Sequence, residues 1–253
     1  MREKSARRTG LPKRARLPLA AVALFLLFTS SGCAPTRLTA TGEPTRLTAQ
    51  GMDYFNRGNY FSALEAFKEV RDRYPFSNFS LLAELKSADS HFYMNEYAEA
   101  RALYEDFVGK HPTNEAIPYV LFQIGMCHFK GIDTIDRDPG AAHEAIAVFT
   151  RLLRTYPSSS YVVEAKTRVA TARDFLAQNE MYVARFYVRA EKWAAAAGRL
   201  EYILQQYPDS SVAPKAKEML PDIRRRQQDA ASVAEQKDER SLWQRLGAVI
   251  FPG

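Results

Sequence analysis

The chain is poor in the residues that build catalytic and redox centres. Among 253 residues there are two cysteines, four histidines and two tryptophans. Two cysteines cannot make the disulfide framework of a small secreted scaffold. The twelve glycines form no phosphate-cradling loop, and no nucleophile–base constellation is present. The longest apolar run, Leu17 to Phe28, holds twelve residues, where a bilayer-spanning helix needs about 20. An excess of one charge sign is missing as well. Residues 1–32 hold seven Lys or Arg and one Glu, and the remainder carries 28 basic and 28 acidic residues. The formal charge of +6 and the pI of 9.3 thus describe a targeting segment, and with so little clustered basic charge among the aromatics they do not point to nucleic acid.

What is present begins with that segment. Arg2 to Arg16 is a positive n-region, Leu17 to Phe28 an apolar segment, and Ser30-Ser31-Gly32 a small-residue cleavage site, the usual order of a signal peptide. Cleavage places Cys33 at the new amino terminus, and Ser-Gly-Cys resembles a bacterial lipobox, in which the thiol and the amino group are acylated. Ser30 departs from the leucine commonest there, and an ordinary secretory leader ending beside a cysteine is the plainer alternative. Several acyl chains anchor a protein firmly to a leaflet. Ala34, a residue other than aspartate after the cysteine, is similar to the outer-membrane sorting signal. Cys127 is then left without a partner and is expected as a buried, inert thiol.

The rest of the chain repeats. Tyr60/Ala63/Phe67/Pro75, Tyr97/Ala100/Tyr104/Pro112, Ala142/Ala145/Phe149/Pro157 and Trp193/Ala196/Leu200/Pro208 share offsets of 3, 7 and 15. With Val70, Phe107, Leu152 and Ile203 these positions trace one face of an α-helix, which proline then ends. Ser77, Asn114, Ser159 and Ser210 follow as expected caps of the next helix. Small residues Gly51, Ala88, Gly125 and Ala184 precede the blocks, each followed three positions later by Tyr54, His91, His128 or Tyr187. This is the tetratricopeptide pattern of about 34 residues, so the expectation is an all-α solenoid of about five repeats. Proline spacings of 37, 45 and 51 read as one repeat, one repeat with a longer loop from Gly131 to Pro139, and one repeat with four extra helical turns. The last predicts a helix from about Ser159 to Ala190.

The histidines then have structural explanations: His91 and His128 fill the aromatic position, His111 replaces tyrosine before proline, and His143 shares a solvated face with Glu144. Asp133, Asp136 and Asp138 lack the glycine and terminal glutamate of a calcium loop. No catalytic residue, metal or cofactor is expected, and the chain does not read as an enzyme. A binding surface does emerge. Phe55, Phe92 and Phe129 recur every 37 residues on the first helices, which line the concave side of stacked repeats. Met52 and Met126 lie one turn earlier, and Leu85, Tyr119 and Phe122 extend the same side. Such a lining suits an extended strand with alternating apolar residues; packing of these rings as core is the alternative.

Four segments follow: 1–32 a lipoprotein signal peptide, 33–46 a lipidated cysteine and tether, 47–228 the solenoid, and 229–253 a tail or capping helix. The tether holds Pro-Thr-Arg-Leu-Thr-Ala at 35–40, and a second copy at 44–49 runs into the first helix. At the other end Leu242, Trp243, Leu246, Val249, Ile250 and Phe251 gather into an apolar segment, read either as a helix folded back on the solenoid or as a docking segment.

The lipobox, Tyr74-Pro75-Phe76-Ser77, the block Tyr97 to Pro112, the loop Asp136-Arg137-Asp138-Pro139, Tyr156 to Tyr161 and Trp193 through Arg199 to Pro208 together resemble the BamD (ComL-like) outer-membrane assembly lipoproteins, over about residues 28–225. The resemblance implies a periplasmic scaffold, lipid-anchored to the outer membrane, in the machine that folds and inserts β-barrel proteins. Its partners would be the periplasmic domain of BamA, other assembly lipoproteins and the carboxy-terminal strand of unfolded barrel proteins. Arg199 matches the arginine that family members direct at BamA, with Gly198 where asparagine is common. A secretin pilotin or an adaptor for a peptidoglycan enzyme is the alternative for an envelope repeat lipoprotein.

Overall fold

A computed structural model describes residues 42–250, with side chains through Arg240. The signal peptide, Cys33, the first hexapeptide and Phe251 lie outside the described residues. Those that are described form nine helices: α1 (Gly42–Asn56), α2 (Tyr60–Arg73), α3 (Ser80–Tyr93), α4 (Tyr97–Lys110), α5 (Ile117–Lys130), α6 (Gly140–Thr155), α7 (Val162–Arg189), α8 (Trp193–Gln206) and α9 (Ala213–Ile250). Each packs chiefly on the helix before and the helix after it, which is the contact pattern of a solenoid. There are four helix pairs and a ninth helix that closes the series.

The proline-spaced stripe is the core. Ala63, Phe67 and Val70 on α2, Ala142, Ala145, Phe149 and Leu152 on α6, and Ala196, Leu200 and Ile203 on α8 are fully buried, as are Ala100 and Tyr104 on α4. The small residues of the first helices are the seats for these rings. A Cβ on Gly51 would stand 2.7 Å from the Phe67 ring, and one on Gly125 would stand 2.5 Å from the Phe149 ring. Ala88 and Ala184, the equivalents in the other pairs, are buried to the same degree.

Turns inside the pairs share one device. Gly58, Asn95 and Glu191 each adopt positive φ, at 76°, 63° and 55°, seven residues after the small residue. The N–H of the next residue reaches back to the repeat's aromatic position: Asn59 to the Tyr54 carbonyl at 2.9 Å, Glu96 to His91 at 3.0 Å and Lys192 to Tyr187 at 2.9 Å. These bonds satisfy carbonyls that the helix end leaves open. The third pair has no such residue, and its chain leaves through the 131–139 loop instead.

Between pairs, the expected caps are corrected. Asn114 Oδ1 accepts from the Ala116 N–H at 2.9 Å and Ser159 Oγ from the Tyr161 N–H at 3.3 Å, but the buried hydroxyls of Ser77 and Ser210 have no partner. A tight turn does the work that capping was expected to do. The N–H of Ser80, Ile117, Val162 and Ala213 each bonds the carbonyl three residues back, at 3.1–3.2 Å, so each helix starts two residues later than its expected cap implies.

Two boundaries also move. α1 begins at Gly42, so Gly42 to Arg46, expected in the tether, are helical: Glu43 pairs with Arg46 at 2.5 Å, the Thr48 hydroxyl donates to the Pro44 carbonyl at 2.7 Å, and Leu47 is buried against α2. Pro44 sits in the first turn, where its missing N–H costs nothing. At the other end α9 does not fold back. It runs unbroken to Ile250, and Arg224 to Arg240 are all exposed. The long helix is found as expected, from Val162 to Arg189.

Candidate functional site: the first-helix face

Of the eight residues expected to line the groove, six are half-buried: Met52 and Phe55 on α1, Leu85 and Phe92 on α3, Tyr119 and Phe129 on α5. Phe122 and Met126 are not available to a ligand, at 7 % and 8 % exposure. The reason is that α5 is covered from several sides: Tyr161, from the turn before α7, stacks on Phe122 at 5.1 Å, and Phe149 of α6 lies 5.7 Å away. Residues 120–127 are buried without interruption.

The three ladder rings have distinct surroundings. Phe55 stands edge-on to Tyr60 and Tyr93 at 5.3 and 5.6 Å, and Tyr60 stacks on Tyr93 at 5.0 Å. Phe92 meets Tyr93 and Tyr97 edge-on at 5.7 and 5.4 Å. These five rings make one continuous aromatic strip over the first two pairs. Cations rest on the outer rungs: Lys86 Nζ lies 4.5 Å from the Phe55 centroid and the Arg168 guanidinium 5.2 Å from that of Phe129. Lys86 and Arg168 both follow their repeat's proline by eleven positions, where the middle repeat has Gln123.

Beneath this face lies a buried acid that the sequence reading missed. Asp89 is 1 % exposed. Its Oδ1 accepts the hydroxyls of Tyr104 at 2.5 Å and Tyr119 at 2.6 Å, and its Oδ2 meets Lys86 Nζ at 2.7 Å. Gln123 Nε2 donates to the Tyr119 hydroxyl at 3.0 Å. Burial first, and then the Asp89 charge, push both phenols well above their ordinary pKa, so they stay protonated donors. The available signal was Tyr104 itself, a hydroxyl where the other repeats place Phe67, Phe149 and Leu200.

Arg199 on α8 is anchored from α7: Nη1 lies 2.9 and 3.2 Å from the two Glu180 carboxylate oxygens. Its side chain is 44 % exposed and that of Glu180 17 %, so the guanidinium is held in place with one edge open. The hydrogen bond to Glu180 raises its pKa further. Cys127 is buried, and burial pushes its thiol up to about 12. In the 131–139 loop the carboxylates serve local structure: Asp133 pairs with Arg137 at 2.9 Å, Asp136 accepts from the Thr134 hydroxyl, and Asp138 accepts from the Gly140 N–H. Among the described residues no cluster of metal-ligating side chains occurs, and no helix is long and apolar enough to cross a membrane.

A family profile described as "Outer membrane lipoprotein" (YfiO) matches residues 41–239. The chain belongs to this family. As a member it is similar to proteins named outer membrane protein assembly factor BamD. The relative in Vibrio cholerae is 30 % identical over 209 residues, covering 78 % of this chain and 86 % of that one. The relative in Caulobacter vibrioides is 29 % identical over 205 residues, covering 79 % and 67 %. Among solved structures the chain is similar to the TPR2AB-domain:pHSP90 complex of yeast Sti1, with a TM-score of 0.43 and 12 % identity over 71 % of this chain and 70 % of that one. The family profile reaches from the start of α1 deep into α9, and so spans both the aromatic face and Arg199.

Proposed function

We propose that the protein is a periplasmic scaffold of the β-barrel assembly machinery, held on the outer membrane by acyl chains at Cys33. Its first-helix face receives the carboxy-terminal strand of unfolded outer-membrane proteins, and its last pair holds the periplasmic domain of BamA through Arg199. The observation that carries the first role is the row of half-buried rings, Phe55, Phe92 and Phe129, with cations over the outer two. An extended strand presents alternate side chains to such pockets, and a terminal carboxylate gains from a nearby Lys86 or Arg168. For Arg199 the support is its fixed, half-open guanidinium, suited to a partner carboxylate.

Two experiments test the parts separately. With Phe92→Ser and Phe129→Ser together, binding of a peptide copy of a barrel protein's last strand is lost while circular dichroism stays helical; unchanged binding overturns the groove. Arg199→Ala weakens co-purification of BamA from membranes. Recovery of a secretin or a peptidoglycan hydrolase in place of BamA overturns the scaffold assignment.

A further inference from the structure

The residue that follows each repeat's proline sits in the same backbone turn four times over. In all four turns the N–H two positions after the proline bonds the carbonyl just before it: Ser77 to Tyr74 at 3.0 Å, Asn114 to His111 at 3.1 Å, Ser159 to Tyr156 at 3.0 Å and Ser210 to Tyr207 at 3.1 Å. The residue between them is turned out into solvent. In three turns it suits that place, as Thr113, Ser158 and Asp209, all exposed. In the first it is Phe76. This residue is 99 % exposed, so an aromatic ring is left wholly in water, and the first turn of α3 adds Leu81 and Leu82 at 39 % and 37 % exposure. Scattered apolar residues on a surface are ordinary, but a fully exposed phenylalanine where each sister turn is polar calls for a cover.

The turn that bears Phe76 lies beside the start of α1. Leu47, on the second turn of α1, packs in one cluster with Tyr74 and Phe79, and it lines one groove with Arg73 from the end of α2. The other three turns follow one, two and three pairs further along the solenoid. Eight residues, 34–41, separate α1 from Cys33. Nine extended steps reach at most about 32 Å, so in the acylated chain this end of the solenoid cannot leave the neighbourhood of the leaflet. Charge does not choose the occupant, because Arg46 and Arg73 beside the turn are taken up by Glu43 and Glu69. Apolar exposure and the length of the tether do.

We infer that Phe76, with Leu81 and Leu82 behind it, enters the headgroup and acyl boundary of the phospholipid leaflet that holds Cys33. Acyl chains alone are a pivot on which the solenoid can roll, and a second apolar point near the first fixes its attitude to the membrane. The inference rests on the acylation of Cys33. It adds a lipid contact made by the solenoid itself, at the opposite end of α1 and α3 from the Phe55 and Phe92 rings.

The test uses the full acylated chain in vesicles of phosphatidylethanolamine and phosphatidylglycerol. An environment-sensitive fluorophore is placed on Asn78→Cys, beside Phe76, or on Thr113→Cys in the next turn; Cys127 is buried and does not compete for the label. Flotation with the vesicles reads the anchor, and quenching by lipids spin-labelled near the headgroup reads the contact. The fluorophore at 78 is blue-shifted and quenched, and that at 113 is neither. Phe76→Ser lowers the ratio of quenched to unquenched probe at 78 about tenfold, the least that burial of a phenylalanine side chain supplies, with flotation and helicity unchanged. Equal quenching at 78 and 113 in a chain that floats overturns the lipid contact and keeps the anchor. Quenching at 78 that Phe76→Ser leaves intact overturns it as well. So does shielding at 78 in native membranes without quenching in the vesicles, which assigns the turn to a protein partner. A chain that does not float removes the anchor and this inference with it.

Discussion

At the scale of single residues, the most consequential side chain is Asp89. A carboxylate so buried is tolerable only when charge and lone pairs are answered, and here two phenols and one ammonium answer it. Removing one donor leaves part of that demand unmet. Tyr104→Phe is expected to cost about 1.5–3 kcal/mol, read from urea unfolding monitored by circular dichroism. His128 sets a pH dependence of known sign. Burial is the main cause that holds its imidazole below the ordinary value, so the folded state keeps it neutral. As pH falls through about 6.5 the unfolded chain takes up the proton first, and stability is lost as pH drops. His128→Phe should therefore lose less stability than the parent between about pH 7 and pH 5, measured as the change in urea midpoint. The ring stripe was legible in the sequence because its offsets match a helix. Burial of Phe122 was not, since it depends on Tyr161 and Phe149 arriving from other segments.

Among the elements, the turns and insertions carry the information. Glu191 sits at φ 55° where the first two pairs use Gly58 and Asn95. A side chain with a Cβ is strained in that region, so Glu191→Gly is expected to gain about 0.5–1 kcal/mol despite glycine's extra freedom when unfolded. A rise in melting temperature reports it. The two irregular insertions, read from proline spacing as separate events, meet in space. Asn179, in the added part of α7, donates to the Ile135 carbonyl at 2.7 Å and approaches that of Arg137 at 3.4 Å. The long helix is the bed on which the long loop lies. Asn179→Ala should speed amide exchange across residues 133–138 and leave the amides of α7 unchanged. Sequence spacing revealed both insertions but not their contact, because a bond across 44 residues leaves no trace in local periodicity. The start of α1 was misplaced for a related reason: Pro44 and Thr45 read as tether chemistry, while Leu47 packing on α2 makes the segment helical.

For the whole molecule, stability is a chain of neighbour contacts, and the three buried clusters follow the order of the repeats. α9 joins this order through the buried Ala213, Ala216, Leu220 and Ile223 and the partly buried Met219. Beyond them Arg224 pairs with Glu201 at 2.9 Å and Arg226 lies over Trp193 at 5.3 Å. A chain ending at Val233 should keep its melting temperature within about 1–2 °C, since the stretch from Ala234 to Arg240 is exposed and removing exposed residues changes stability by only about 0.5 kcal/mol. A larger fall would mean that the distal part of α9 packs on the solenoid after all. The sequence left open whether this end caps the fold or reaches for a partner, because an apolar segment reads the same in either case.

The unbroken course of α9 has a geometric consequence. From Arg224 to Ile250 the helix advances about 40 Å at 1.5 Å per residue, more than the thickness of a bilayer's hydrocarbon core. It is a mast. Along its axis Leu242 stands about 27 Å and Ile250 about 39 Å from Arg224, distances fixed by residue count, so each inserted or deleted helical turn would lengthen or shorten the span by about 5.4 Å and change its rotational phase little.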